Sequence, residues 1–198
     1  MINVNPLAYR LVCSSCGGLS TLPLDVLQTK IISNQDVEFK VKEFKWLILA
    51  PFIFSLQNTV YNWAKFIPNQ SIRGILAGLS ASPPYILLEM NKIRMRLNLL
   101  PNYKLFALIM TIREILVYVT IYNIIVLNIP YSKFIAALLA NSIGFPLRLY
   151  ALKKSYSTLN INFEILKKTA LLEIIKSAMG DTITLLLLYK FPLSPFKL

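Results

Sequence analysis

Long apolar segments constrain the fold of this chain more than any other feature of its sequence. Six stretches approach the ~20 residues that a helix needs to cross a bilayer. They cover about residues 7–29, 44–66, 70–91, 103–129, 131–152 and 165–190. These runs are too long and continuous for the strands of a membrane barrel, which alternate over roughly 10 residues. The sequence therefore predicts a polytopic helical membrane protein, in agreement with a mean hydropathy of +0.57.

Basic residues indicate how the six predicted spans are oriented. The chain has 21 Lys and Arg residues, 9 Asp and Glu residues and a formal net charge of +12. Most of the basic residues lie in regions 28–45, 89–104 and 148–168, which the six spans place on one side of the membrane. The positive-inside rule assigns that side to the cytoplasm or matrix, with both termini on the other. Because these residues flank spans, we expect anionic lipid headgroups as partners and no nucleic acid.

Small residues indicate that the spans form repeated helix pairs. The odd-numbered spans carry small residues at helical spacing, whereas the even-numbered spans are bulky and aromatic. The small residues are Ser14 and Gly18, Gly74 and Gly78, and Ala136, Ala140 and Gly144. Close packing alone could explain any single pair. Their alternation predicts one transmembrane domain over 1–198, with three helical hairpins at about 1–67, 68–129 and 130–198 in pseudo-three-fold symmetry.

Each odd-numbered span ends in a variant of one motif, and the first copy is the most complete. This copy, PLDVLQTK, contains Pro23, Asp25 and Lys30 and follows the run CGGLST. Proline bends a span, and the acid and base place opposite charges near the membrane exit. The pattern resembles the mitochondrial carrier family, whose repeats each hold P-x-[DE]-x-x-[KR]-x-[KR] at the matrix end of an odd-numbered helix. The resemblance implies that acids and bases of successive repeats pair and close the matrix side.

The other two copies depart from this motif. In LLEMNKIR the proline is replaced by Leu87, while in PLRLYALK Pro146 matches but Arg148 replaces the acid. The matrix-side network that the resemblance implies is therefore a remnant, made of Asp25, Glu89, Lys92 and Arg148. One of three pairs is expected to persist, Asp25 with Lys92, while Glu89 would face Ala151 and Arg148 would face Gln28. A buried ion left alone is costly, so Glu89 and Arg148 must find other partners, reach water or contact another subunit.

The resemblance also implies a second charged layer at the opposite end of the even-numbered helices, with the motif [FY]-[DE]-x-x-[KR]. The tyrosines persist here while the acids are absent, and the remnant comprises Tyr61, Lys65, Tyr122 and Tyr189. A carrier needs two closed states of similar free energy, each held by interactions that the other lacks. With most of these charges missing, we expect no such pair of states.

Arg113 and Glu114 lie in the middle of the fourth predicted span. An ionisable residue inside a membrane is costly and often functional. The resemblance makes Arg113 the candidate anion-binding residue, because arginine in this helix commonly contacts substrate in the family. The alternative is a structural ion pair of Arg113 with Glu114, or with Glu173 or Asp181 from the sixth span.

No catalytic or metal site is predicted. The chain has two cysteines, Cys13 and Cys16, and no histidine, so a zinc site would need ligands that the sequence does not offer. Both cysteines are interpreted as small packing residues. We expect neither an enzyme nor a cofactor, with cardiolipin or another anionic lipid as the candidate bound ligand.

These observations lead to two hypotheses about function. The first is a degenerate carrier that no longer transports and acts as an accessory subunit of a respiratory or ATP synthase assembly. Its partners would be other subunits and lipids of the inner mitochondrial membrane, with both termini in the intermembrane space. The second is a minimal transporter of a small anionic solute that works by alternating access.

Overall fold

The computed structural model describes a helical chain. It covers residues 12, 15–17, 19–37, 52–53, 56, 59–60, 63–127, 132–156, 158–159 and 161–190, with backbone alone for 133, 177–178 and 181–190. The elements are α1 (Leu22–Ser33), a 3-10 helix (Ala64–Phe66), α2 (Gln70–Leu97), α3 (Tyr103–Ile125), α4 (Ser132–Ser155) and α5 (Phe163–Lys190). No strand occurs among these residues, which confirms the predicted all-α class for this part of the chain.

The last four predicted spans each coincide with one long helix, α2 to α5. The first overlaps α1 at its carboxyl end, and most of the second, 44–66, lies outside the described residues. Two of the helices, Tyr103–Ile125 and the segment Phe134–Ser155 of α4, are long and apolar enough to cross a membrane. In α2 and α5 charged residues interrupt the apolar character, and two of them, Lys92 and Lys176, contact Asp25 of α1.

Asparagine marks several helix ends. At the start of α2, the side chain of Asn69 accepts hydrogen bonds from the backbone N–H of Ser71 and Ile72. Asn102 caps α3 in the same way. Asn34, directly after α1, and Asn98, directly after α2, both adopt a left-handed backbone, with φ of 53° and 55°. These caps satisfy backbone groups that a helix end leaves unpaired. The short connection between α2 and α3 lets the two helices pack against each other as an antiparallel hairpin.

The long helices pack in a definite order. Helix α3 lies between α2 and α4, α4 contacts α5, and α5 contacts α1. The two ends of this arc meet through side chains, because Asp25 of α1 lies 2.9 Å from Arg96 of α2. This order brings one face of α1, α2, α4 and α5 to a common interior.

Small residues allow close approach of helix backbones, as the sequence predicts, and the helices concerned are α2 and α3. A Cβ atom added at Gly78 would lie 2.6 Å from the Cα atom of Ile115, and one at Gly74 would lie 2.8 Å from that of Val119. On α4, Ala136 and Ala140 are fully buried. The predicted small pair in the first span, Ser14 and Gly18, lies outside the described residues.

Candidate functional site

A cluster of buried charged and amide side chains joins α1, α2, α4 and α5. We call it the charge network; its members are Asp25, Gln28, Glu89, Lys92, Arg96, Arg148, Glu173 and Lys176. The charged side chains are at most 15% exposed, and Gln28 is fully enclosed. Ions that are removed from water to this extent are stable only with close partners of opposite charge.

Helical spacing brings these side chains together. On α2, Glu89, Lys92 and Arg96 are separated by three and four residues, so they share one face of the helix. On α5, Glu173 and Lys176 are three residues apart and form an ion pair of 2.7 Å. Each helix therefore contributes a short charged patch to the interior.

The carboxylate of Asp25 contacts all four bases of the charge network. Its carboxylate lies 2.9 Å from Arg96 Nη1 and 3.2 Å from Lys92 Nζ, so the contact expected between Asp25 and Lys92 is present. Lys176 and Arg148 lie 3.5 and 3.7 Å from the other carboxylate oxygen. Asp25 thus links α1 to three other helices.

Arg148 joins the acids of two further helices. Its Nε donates to Glu89 Oε2 at 2.8 Å, and its Nη1 donates to Gln28 Oε1 at 2.9 Å. Glu173 lies 3.6 Å away. The expected meeting of Arg148 with Gln28 is confirmed, and the one pair expected from the motif, Asp25 with Lys92, is present. Arg148, which replaces the acid of the motif, pairs with Glu89, an acid for which the motif provides no partner in this sequence.

Two bases of the network lie outside the pairing that the motif implies. Arg96, one helical turn beyond Lys92, donates to Asp25 and to the hydroxyl of Thr29 at 2.8 Å. Lys176 contacts Gln28 Oε1 at 3.1 Å, where the motif would place a base on α1. The three- and four-residue spacings on α2 and α5 predict contacts within each helix, but they do not predict that Arg96 and Lys176 contact α1.

The two signature prolines lie just before the charged positions. Pro23 is the second residue of α1, where its missing N–H leaves no hydrogen bond unmade. Pro146 lies inside α4, two residues before Arg148. Both prolines are exposed, so they act through the backbone rather than through contacts with the network.

An apolar cluster packs next to the charge network and includes residues from the connection between α4 and α5. We call it the apolar seal; its buried members include Ile32, Ile93, Phe106, Met110, Leu149, Leu152, Tyr156, Leu159 and Ile161. The rings of Phe106 and Tyr156 meet edge to face, with centroids 6.0 Å apart. The N–H of Asn102 donates to the carbonyl oxygen of Ser155 at 2.8 Å and joins the two turns. At this end, ion pairs and apolar packing therefore join the helices that the structure describes.

Arg113 and Glu114 form a buried ion pair in α3. The guanidinium of Arg113 also lies over the ring of Tyr85, 4.7 Å from its centroid, a favourable cation–π geometry. Among the ion pairs that the sequence left open, the one with Glu114 is present. The side chain of Asp181 lies outside the described residues.

At the opposite end, the structure describes neutral polar and aromatic contacts together with a buried base, Arg73 of α2. Tyr122 is buried and stacks on Tyr118 with ring centroids 6.3 Å apart. The amide of Asn123 donates to the hydroxyl of Ser71 at 3.1 Å and links α3 to α2. Lys65 is exposed, whereas Tyr61 and the side chain of Tyr189 lie outside the described residues.

The remaining polar groups that the structure describes include a free thiol and an exposed ion pair. No cluster of three potential metal ligands occurs among the described residues, and Cys16 is an exposed free thiol. In the loop after α1, a hydrogen bond and ion pair from Lys30 lower the pKa of Asp36, which is solvent-exposed. That pair is a surface contact rather than a site.

Comparison with known proteins yields no match of this chain to any family model, curated protein or solved structure. The resemblance to mitochondrial carriers therefore depends on the motif residues and on the order of the predicted spans.

Proposed function

We propose that this chain is a six-span membrane protein derived from a mitochondrial carrier, and that it no longer transports. It would serve as an accessory subunit of a respiratory or ATP synthase assembly in the inner mitochondrial membrane, with both termini in the intermembrane space. The observation that carries this proposal is the charge network backed by the apolar seal, which holds four helices together at one end.

The distribution of side chains supports a membrane setting. Large apolar side chains are exposed along the outer faces of the helices, as at Leu108, Ile112 and Leu116, one turn apart on α3. The buried positions, in contrast, include many charged residues. Soluble proteins rarely show contiguous apolar surfaces of this kind, whereas hydrocarbon favours them and drives ionisable groups inward.

The charge network supports a static role. Alternating access requires the closed end to open at a free-energy cost that the closure of the other end offsets. Opening here would separate Asp25 from bases on α2 and Arg148 from Glu89, and would also expose the apolar seal. The polar and aromatic contacts described at the opposite end join neutral side chains, and the buried Arg73 places a charge there as well. A bundle that is held in one conformation is compatible with a structural role and not with alternating access.

Reconstitution tests the loss of transport. Proteoliposomes that contain the purified chain should show no saturable exchange of nucleotides, phosphate or carboxylates above protein-free liposomes. Native electrophoresis in mild detergent should show the chain migrating with a respiratory or ATP synthase assembly. Robust exchange by a chain that migrates alone would contradict the proposal.

A second candidate function, a minimal transporter of a small anion, is favoured by one observation. Arg113 is buried, and its Nε atom has no hydrogen-bond partner among the described residues. A bound anion could accept that hydrogen bond. The ion pair of Arg113 with Glu114 supplies the opposing explanation, in which the guanidinium stabilises the bundle.

Paired substitutions at 113 and 114 separate these two roles. We expect Arg113→Ala to lower stability by about 3 kcal/mol, because it leaves the buried carboxylate of Glu114 unpaired. The double variant Arg113→Ala, Glu114→Ala should be more stable than the single variant. Thermal unfolding in detergent provides the measurement. A fully stable Arg113→Ala variant that loses anion uptake would instead support the transporter.

A further inference from the structure

Helix α2 continues through two consecutive prolines, Pro83 and Pro84. Proline has no N–H, so Pro83 cannot donate to the carbonyl oxygen of Leu79, and Pro84 cannot donate to that of Ser80. A carbonyl oxygen without a donor is costly where water is excluded. Another donor at this point would therefore stabilise the helix.

The hydroxyl of Ser82 is such a donor. Its Oγ atom donates to the carbonyl oxygen of Leu79 at 3.0 Å, and the residue is buried, with 3% of its surface exposed. Serine and threonine side chains often reach back to a carbonyl of the preceding turn in this way. At Leu79 the hydroxyl takes the place of the N–H that Pro83 lacks, whereas elsewhere in a helix it adds a second hydrogen bond to a carbonyl that already has one.

Ser80 makes the same kind of contact without this consequence. Its Oγ atom donates to the carbonyl oxygen of Ala77 at 2.7 Å. The residue four positions after Ala77 is Ala81, which has an N–H for the ordinary helical hydrogen bond. Loss of the Ser80 hydroxyl leaves that carbonyl with a donor, so Ser80 is a matched control for Ser82.

The junction at 79–84 separates two parts of α2 that have different contacts. Before it, Gly74 and Gly78 lie against the backbone of α3. After it, Glu89, Lys92 and Arg96 pair with residues of α4 and α1. Helices bend at proline, so the hydrogen bonding at this junction sets the direction of the second part relative to the first.

We infer that Ser82 is a positioning residue for the charge network. By replacing the hydrogen bond that Pro83 removes, it fixes the direction in which α2 presents its charged residues to α1 and α4. Ser82 lies about two turns before Glu89 and therefore on the same face of the helix. This inference rests on the role of the charge network in the proposed function.

Substitutions at 82 and 83 test the hydrogen bond. Ser82→Ala should lower the Tm in detergent micelles by at least about 2 °C, because the carbonyl of Leu79 loses its donor. Ser80→Ala should leave the Tm unchanged or slightly raised, since alanine favours a helix more than serine does. In a chain with Pro83→Ala, which restores an N–H at 83, Ser82→Ala should no longer lower the Tm. The same loss in the Pro83→Ala background would overturn the inference.

A shape-matched pair of variants tests the hydroxyl without changing Pro83. Ser82→Thr keeps the hydroxyl, whereas Ser82→Val replaces it with a methyl group of similar size. The Ser82→Thr variant should therefore have the higher Tm. Equal Tm values for these two variants would also overturn the inference.

The charge network provides the readout for positioning. In a chain with Arg148→Met, where the network has lost one of its bases, Ser82→Ala should lower the Tm by no more than about half as much as in the unsubstituted protein. An undiminished loss in that background would show that Ser82 stabilises α2 alone and does not position the network. The proposed function is tested separately by exchange in proteoliposomes, and robust exchange would contradict it without changing the outcome of these comparisons.

Discussion

Replacing Arg148 with Met should lower the free energy of unfolding by about 3–5 kcal/mol, the range found when one partner of a buried ion pair is removed. The guanidinium contacts Glu89 and Gln28 and lies close to Glu173 and Asp25, so its loss affects three carboxylates on three helices. Methionine keeps a similar length without charge. Equilibrium unfolding of the purified protein in detergent micelles provides the measurement.

Lys30→Met is the matched control for this prediction. It removes the ion pair with Asp36, which is exposed to solvent, and should leave stability unchanged within error. Adding Glu89→Gln to Arg148→Met should recover part of the lost stability, because the acid no longer lacks a partner. Equal losses for Arg148→Met and Lys30→Met would show that the charge network does not hold the helices together.

Gly78→Ala should destabilise the protein by about 1–3 kcal/mol, although alanine favours a helix over glycine by about 1 kcal/mol. The added Cβ would lie 2.6 Å from Ile115 Cα and 2.9 Å from the carbonyl oxygen of Glu114. Both are backbone atoms, so α2 and α3 must separate to admit it. Thermal unfolding monitored by circular dichroism should show a lower Tm than that of the unsubstituted protein.

Gly180→Ala is the matched control, because the nearest atom to the added Cβ belongs to a side chain rather than to the backbone. Its added Cβ would lie 2.9 Å from a methyl group of Thr21, a side-chain atom, and 3.5 Å from a backbone atom, the carbonyl oxygen of Gly17. Stability should change little or rise slightly. If Gly78→Ala and Gly180→Ala had the same effect, the close approach of α2 and α3 would not depend on glycine.

The sequence predicts the helices of this fold better than it predicts their contacts. Long apolar runs locate α2 to α5 because a helix of that length is the structure that pairs all backbone groups without water. The small residue at 78 signals close packing, and the structure identifies α3 as the helix that approaches it. Most of the second predicted span lies in residues that the structure does not describe.

Sequence spacing alone is insufficient to predict the contacts of the charge network. The motif leads to Asp25 and Lys92, but Lys176 is 151 residues away from Asp25 and reaches it because α5 packs against α1. Lys92, Arg96 and Arg148 lie in regions that charge counting assigns to the membrane flanks, yet they are buried. Acids on neighbouring helices neutralise them, a compensation that depends on helix order and rotation rather than on local sequence.

Chemical accessibility of Thr169 tests most directly whether the closed end stays shut. Thr169 is fully buried on α5, directly after Lys168, which is exposed. In a chain with Cys13→Ser and Cys16→Ser, Thr169→Cys should react with a membrane-impermeant maleimide at least about 100-fold more slowly than Lys168→Cys, because modification requires a costly opening. Unfolding the protein should make the two rates equal. Comparable rates in the folded protein would contradict a bundle that is held permanently closed.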